Sequence, residues 1–530
     1  MAPNPGDGGS EKVTYTSANV DMEAFHARFD QALETVRGAS GQEHPLYIGG
    51  REVPGSHDPI VDVTPIDTSF ELGRFAAAGQ DEVFEAVTAA RRGRAEWARL
   101  PWRDRLEILR AAAALIRERK YLLAATMSLE VGKSRLESMG DAEEAADLVD
   151  YYCSQVEEAD GFVREMARVT PHERNIDVLR PYGVFACISP FNFPMALSTG
   201  MSAAALATGN TVIYKPAEQT PWTGLRLYDI YMEAGVPADA FSYVSGRGEE
   251  AGEPLWRHPG VDGVVFTGSR EVGMKIHHGL SREWIKPCLM ELGGKNAALV
   301  MDTADLEAAA EGVARGAWGL QNQKCSATSR VYVHRDVATE FVRLLLEKTA
   351  EVVIGDPTER DVNFGPLIEP SSVERYERAV SRAREEGEVL TGGARLTGEA
   401  LGKGLYVAPT VATLPLSSAL FTEELFVPFL AVGEVSGLEE AIRETNRAPY
   451  GLTSGIFTGS DEEIERFFDE IEAGVCYANK RTGATTGAWP GAQPFCGWKG
   501  SGSTGKGGCG PYYVAQFMRE QSRTVIGGDA

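Results

Sequence analysis

The chain has 530 residues, 43% of them hydrophobic and 24% charged, which excludes a disordered chain, a collagen-like fibre and a small disulfide scaffold. At roughly 150 residues per domain it has room for three to four domains, or for fewer large ones. Its 76 acidic residues against 52 basic ones give a net charge of −24, a surface that repels phosphate backbones and anionic lipid heads, so neither nucleic acid nor a membrane is expected as a partner.

No run approaches the roughly 18 apolar residues of a spanning helix, and the start, Met1 to Lys12, has no apolar leader core, so a cytoplasmic location is expected. A polar tail leads into a helix near Asp21 to Val36. Leu46 to Val53 alternates around a Gly-Gly turn and reads as a short hairpin. Amphipathic helices follow at Glu82 to Trp97, Trp102 to Arg119 and Ala142 to Glu157, which makes the first third mainly helical. From about Val178 short apolar runs alternate with helical segments: Gly183 to Ile188, Thr211 to Tyr214, Phe241 to Val244 and Val261 to Phe266. Crossovers of that length imply a parallel sheet covered on both faces. A second alternation, through Ala297 to Met301, Arg330 to Val333 and Ser454 to Phe457, predicts a second α/β domain. The glycine-rich stretch from Gly483 to Gly510 reads as loops that line a site, and Tyr512 to Phe517 fits either a strand or a helix.

The seven cysteines (153, 187, 288, 325, 476, 496, 509) are odd in number, widely spaced and free of any C-x-x-C pair, against both a disulfide framework and a zinc cage. His277 and His278 are adjacent and would diverge by about 100° on a helix, so no metal is expected there. Two phosphate-loop look-alikes fail. Gly500 to Lys506 fits G-x-x-x-x-G-K but is followed by Gly507 in place of the magnesium-binding hydroxyl, and Gly132-Lys133-Ser134 has Met127 where the upstream glycine belongs. Gly246-Arg247-Gly248 with Gly252 is one residue too long for a dinucleotide fingerprint and reads as a turn.

Three segments carry chemistry together: Pro190-Phe191-Asn192-Phe193-Pro194, Met290-Glu291-Leu292-Gly293-Gly294-Lys295 and Gln323-Lys324-Cys325-Ser326-Ala327. In order and spacing, with Glu291 34 residues before Cys325, the sequence resembles the aldehyde dehydrogenase superfamily from about residue 45 to its end. The resemblance implies an α/β fold with a Rossmann-type NAD domain (1–158 and 181–290), a catalytic domain (291–478) and a small β arm for oligomerisation (159–180 and 479–530). It further implies a homo-oligomer of at least two copies. A cysteine thiolate of lowered pKa adds to an aldehyde carbon to give a thiohemiacetal, the part implied for Cys325. Its oxyanion would be received by the Asn192 amide and the Cys325 backbone N–H, each worth roughly 3 to 4 kcal/mol. Hydride leaves to a nicotinamide, and Glu291 activates the water that hydrolyses the thioester. Lys215 and Glu218, at a strand end, match the pair that holds the adenosine ribose; a carboxylate there favours NAD over its 2′-phosphorylated form. Gly268 and Ser269 open a helix toward the pyrophosphate, and Glu424 and Phe426 match the pair beside the nicotinamide ribose and ring, although Val427 stands where glycine is usual.

A narrower likeness is to the pyrroline-5-carboxylate (glutamate semialdehyde) dehydrogenase branch. It implies that Gly483, Ala484 and Ser326 anchor an α-carboxylate, that Phe193 and Phe495 sandwich the aliphatic chain, and that Lys324 and Glu144 lie near the substrate. Residue types alone leave Lys324 as a solvated charge and Glu144 as a helix-surface carboxylate. The loop 485–492 is longer than the branch pattern, and Cys496 replaces a glycine; Cys496 reads as a spectator thiol or a redox partner for Cys325. The resulting expectation is NAD-dependent oxidation of L-glutamate 5-semialdehyde to L-glutamate in proline breakdown. Another semialdehyde as substrate, a coenzyme-A-acylating enzyme and a non-catalytic protein of this fold stay open, and the presence of both Cys325 and Glu291 speaks against the last two.

Overall fold

Two seven-stranded sheets, each with helices on both faces, form the body of the protein; the computed structural model describes residues 21–482 and 489–527. In the first sheet the strands lie in the order Cys288–Glu291, Gly263–Thr267, Val184–Ile188, Thr211–Lys215, Phe241–Tyr243, Leu46–Ile48 and Arg51–Val53. The first five are parallel and the last two are the hairpin read around Gly49-Gly50, joined antiparallel through Tyr243 and Tyr47. Val184–Ile188, Thr211–Lys215 and Gly263–Thr267 are buried along their whole length, the reason their sequences run apolar without alternation. The second sheet runs Glu388–Thr391, Thr410–Thr413, Phe429–Val435, Thr328–His334, Asn296–Val300, Thr453–Phe457 and Val475–Ala478, parallel except for its first strand.

The predicted helices are present as Met22–Gly38, Gln80–Arg99, Trp102–Glu118 and Arg135–Glu158. Asp21 caps the first, accepting from the Ala24 N–H at 3.1 Å. The first third is mainly helical as read, with a small sheet of Gln42–His44, Glu71–Ala77 and His57–Val63 set among the helices, the last strand showing the alternating burial of a half-covered strand. Tyr512 to Phe517 is neither strand nor full helix but ends in a short 3-10 turn, Val514–Phe517, that wedges Phe517 against Phe185 at 5.0 Å. From there Met518–Ile526 runs antiparallel to Glu173–Pro181, which also pairs with Val163–Glu165, in a three-stranded sheet. Among the described residues, no helix is long and apolar enough to cross a membrane.

Candidate active site

The C-terminal ends of the first sheet's parallel strands and the start of the second sheet face one narrow, mainly apolar cavity of roughly 100 Å³. Cys325, Glu291 and Ser326 line it together with Phe193, Phe495, Lys324 and Glu144, so seven residues from five sequence segments meet there. Gly483 and Ala484 lie outside the described residues. Lys324 is not a solvated charge: its ammonium sits 2.6 Å from Glu137 with only 11% of the side chain exposed. Glu144 is half-buried on the cavity side of the Arg135–Glu158 helix.

Asn192 is buried between the cavity and the Cys325 loop. Its amide nitrogen donates to the Gln323 carbonyl at 2.9 Å, and its amide oxygen accepts from the Phe193 N–H at 3.1 Å. An amide has two N–H donors, so one is left over for a ligand. Cys325 follows a backbone that turns left-handed at Leu320, Gln321 and Asn322, with φ of +45°, +53° and +60°. Asn322 holds that turn by donating to the carbonyls of Ala317 and Thr328, while Asn296 donates to the carbonyls of Cys325 and Ala327.

The expectation of a thiol with lowered pKa is not met in this state. Burial pushes the Cys325 thiol up to about 12, helped by the nearby carboxylates of Glu291 and Glu424, while the N–H groups of Ser326 and Cys325 pull the other way. No cation opposes these carboxylates closely enough to reverse the sign. Glu291 ends the Cys288–Glu291 strand; burial holds its carboxyl well above the ordinary range, and its Oε2 is buried without a hydrogen-bond partner. The glycine-rich loop packs directly on that strand. Ser501 accepts the Leu292 N–H at 2.8 Å, Ser503 accepts the Met290 N–H at 3.0 Å, and Glu291 bridges Gly502. The Gly500 to Lys506 look-alike is therefore a cover for Glu291 and not a phosphate cradle.

At the C-terminal end of the central Thr211–Lys215 strand of the first sheet, Lys215 is 4% exposed, its ammonium donates to the Pro216 carbonyl at 3.0 Å, and burial lowers its pKa to about 8. Glu218 accepts the Gly248 N–H at 2.9 Å, and a Cβ on Gly252 would stand 3.5 Å from the Lys215 stem. The Gly246 to Gly252 segment, read as a simple turn, thus belongs to this strand end. Ser269 caps the Arg270–Leu280 helix through the Val272 N–H at 3.3 Å, and a Cβ on Gly268 would stand 2.5 Å from the tip of the Phe266 ring, so a larger residue there would displace that ring. Glu424 accepts the Gly294 N–H at 2.7 Å and is pushed up to about 6 by burial. Phe426, at φ +56°, meets Phe191 edge to face at 6.0 Å, and Val427 in the usual glycine place is fully buried in the second sheet's core.

Two residues of this region carried no sequence signal: Lys133 and Asp141, a fully buried pair behind Asn192. Cys496 is half-buried with its sulfur near the Gly474 carbonyl, and all seven cysteines are free. Among the described residues no group of histidines, cysteines and carboxylates is placed to hold a metal ion.

Comparison with known proteins agrees with this geometry over nearly the whole chain. A model of the aldehyde dehydrogenase family matches residues 53–522. A 1-pyrroline-5-carboxylate dehydrogenase of Anoxybacillus flavithermus (strain DSM 21510 / WK1) is 35% identical over 510 residues, 95% of this chain and 96% of that protein. Its counterpart from Geobacillus thermodenitrificans (strain NG80-2) is 34% identical over 521 residues, 97% of this chain and 98% of that protein. Among solved structures, 1-pyrroline-5-carboxylate dehydrogenase from Thermus with bound NAD superposes with a TM-score of 0.92 at 35% identity, covering 98% of this chain and 99% of that one.

Proposed function

From the premise that this chain belongs to the aldehyde dehydrogenase family, we propose that it oxidises L-glutamate 5-semialdehyde, the open form of 1-pyrroline-5-carboxylate, to L-glutamate with NAD, as a step of proline breakdown. The observation that carries the reading is the cavity that brings together the Cys325 nucleophile, the Glu291 carboxyl group with its unpartnered Oε2, and the rings of Phe193 and Phe495. An amino-acid aldehyde asks for that combination: apolar walls for its methylene chain, and polar groups at the ends.

The cofactor's fit can be tested on the residues present. Glu218 beside Gly248 and Gly252 gives a carboxylate in an open, glycine-lined strand end, suited to ribose hydroxyls and repelling to a further phosphate. Ser269 and the amides that open the Arg270–Leu280 helix suit a pyrophosphate, and Glu424 with Phe426 suits the nicotinamide ribose and ring. In this reading the first sheet carries the dinucleotide, the second the nucleophile, and the three-stranded sheet pairs with a second copy of the chain. NAD bound there supplies a two-electron acceptor for the hydride that leaves the thiohemiacetal carbon.

The rest of the chemistry belongs to the chain. Cys325 adds to the aldehyde carbon, its thiol proton passing to solvent or to Glu291, and the oxyanion is met by the spare Asn192 amide N–H and the Cys325 backbone N–H. Once the carbon is a thioester, Glu291 in its carboxylate form takes a proton from water, which attacks the carbon. The Cys325 sulfur leaves, and the product is a carboxylic acid. Ser326, Lys324, Phe193, Phe495 and Glu144 all line the cavity; in this reading Ser326 and Lys324 meet the substrate's carboxylate, the two rings flank its methylene chain, and Glu144 meets its amino group.

The test is NADH formation with pyrroline-5-carboxylate beside succinic semialdehyde and simple aliphatic aldehydes. The expected result is a kcat/KM at least about tenfold higher for pyrroline-5-carboxylate, a difference of about 1.4 kcal/mol in transition-state binding. A preference for either alternative removes the substrate while leaving the cysteine chemistry in place.

A further inference from the structure

Lys133 and Asp141 are both fully buried and 2.7 Å apart, at the place where the Lys120–Val131 helix has ended and the Arg135–Glu158 helix begins. Gly132 turns the chain left-handed at φ +79°, where a Cβ would strike Pro366, and the Ser128 hydroxyl donates to the Lys133 carbonyl, so the lysine backbone is fixed. An ammonium has three N–H donors. Here they meet the Asp141 carboxylate, the Asn192 backbone carbonyl at 2.9 Å and the face of the Phe193 ring, 3.8 Å from its centroid. The other oxygen of Asp141 accepts the Ala196 N–H at 2.7 Å, at the first residue of the Ala196–Ala207 helix. The pair thus grips the 192–196 segment at both ends.

A buried ion pair is weak evidence for stability, since apolar residues of similar volume replace such pairs at little cost. Orientation is the better account of why two charges sit here, because the groups they hold lead directly to the site: the Asn192 backbone carbonyl, beside the side-chain amide whose second N–H is left over, and Phe193 and Ala196, which line the cavity. We propose that Lys133 and Asp141 are positioning residues that fix the 192–193 backbone, and with it the oxyanion-receiving amide of Asn192, for the addition step. This rests on the reaction proposed above. It gives the Gly132-Lys133-Ser134 segment a role that has nothing to do with phosphate.

A thermodynamic cycle tests it. The full-length protein is prepared as Lys133→Met, Asp141→Asn and the double variant Lys133→Met with Asp141→Asn, each alone and combined with Asn192→Ala, beside Asn192→Ala by itself. Asp141→Asn keeps an acceptor for Ala196, and the double variant removes both buried charges together, so a folded protein is available even where Lys133→Met alone leaves a stranded carboxylate. The expected result is a kcat lowered about 10- to 100-fold with the KM for NAD unchanged. In the Asn192→Ala background, the same changes should cost less than about threefold, because the group they act through is already gone. A merely structural pair would lower kcat by the same factor in both backgrounds. Multiplying costs, or a folded double variant with full kcat, overturns the inference and leaves the reaction standing; the reaction itself stands or falls on the aldehyde comparison.

Discussion

Cys325 rests as a neutral thiol, since burial and the Glu291 and Glu424 carboxylates push its pKa to about 12. The thiolate is the reactive form, so below that pKa its fraction rises tenfold with each pH unit. Alkylation of Cys325 by iodoacetamide in the absence of NAD and aldehyde, followed on the Cys325 peptide by mass spectrometry, should therefore accelerate about tenfold per pH unit from pH 7 to 9 without levelling off. A plateau near neutral pH would show a thiol already activated at rest. Glu291 points the same way: burial holds its carboxyl above the ordinary range, so water reaching it favours the carboxylate, the form that acts as base. At this scale the sequence was informative where chemistry fixes residue type, as at Cys325, Glu291 and Asn192, whose motifs survive at fixed spacing. It was silent on Lys133 and Asp141. Nothing local marks a lysine as buried, and Lys133 stood inside a chance nucleotide motif that drew the eye to glycine instead.

The Arg135–Glu158 helix is the element that organises the cavity. Glu137, Asp141, Glu144 and Leu148 fall on one face at helical spacing, and each reaches the site: Glu137 to the Cys325 loop, Asp141 to Lys133, Glu144 and Leu148 to the cavity wall. Its reading from sequence began at Ala142 and so lost the two turns that matter most. The reason is physical. This helix is covered on nearly all sides, with Arg135, Ser138, Asp141 and Glu143 buried among its apolar residues, so no stripe separates core from solvent. The signal that was available is the cap: Ser134 accepts the Glu137 N–H at 3.4 Å, the start of an S-x-x-E box. Glu137 itself braces the left-handed turn ahead of the nucleophile. One oxygen accepts the Leu320 N–H at 3.1 Å and the other the Lys324 ammonium at 2.6 Å. Non-glycine residues in that conformation cost of order 1 to 3 kcal/mol each and persist only where their surroundings hold them. Glu137→Ala should lower kcat/KM by about tenfold or more. Glu137→Gln, which keeps an acceptor for Leu320, should recover part of the loss. Wild-type kcat/KM in Glu137→Ala would mean that the turn holds without its brace.

For the molecule as a whole, the two large sheets were legible because strands buried on both faces write continuous apolar runs, whereas the three-stranded sheet was not. Glu173–Pro181 is mostly half-buried, Met518–Ile526 is exposed from Arg519 onward, and both carry mixed charge, so they match neither an amphipathic strand nor a loop. Their pairing over nine residues is nonetheless the longest ladder of the described chain, and it leaves Met518–Ile526 as an open edge with Val525 54% and Ile526 75% exposed. An edge of that length invites another strand. The charge of −24 opposes self-association at long range, but Arg519 and Arg523 outnumber Glu520 along this strand, so the edge itself is locally basic, and salt screens the rest beyond about 8 Å. Pairing with a second copy of the chain at this edge, as proposed above, would account for its being long and part apolar on an otherwise acidic surface. Removing residues 521–530 takes away most of the edge while leaving Phe517 in the core and the cavity residues untouched. Light scattering on that truncation should give the mass of a single chain where the intact protein gives at least twice that. An unchanged mass in the truncated protein would place its self-association on another face.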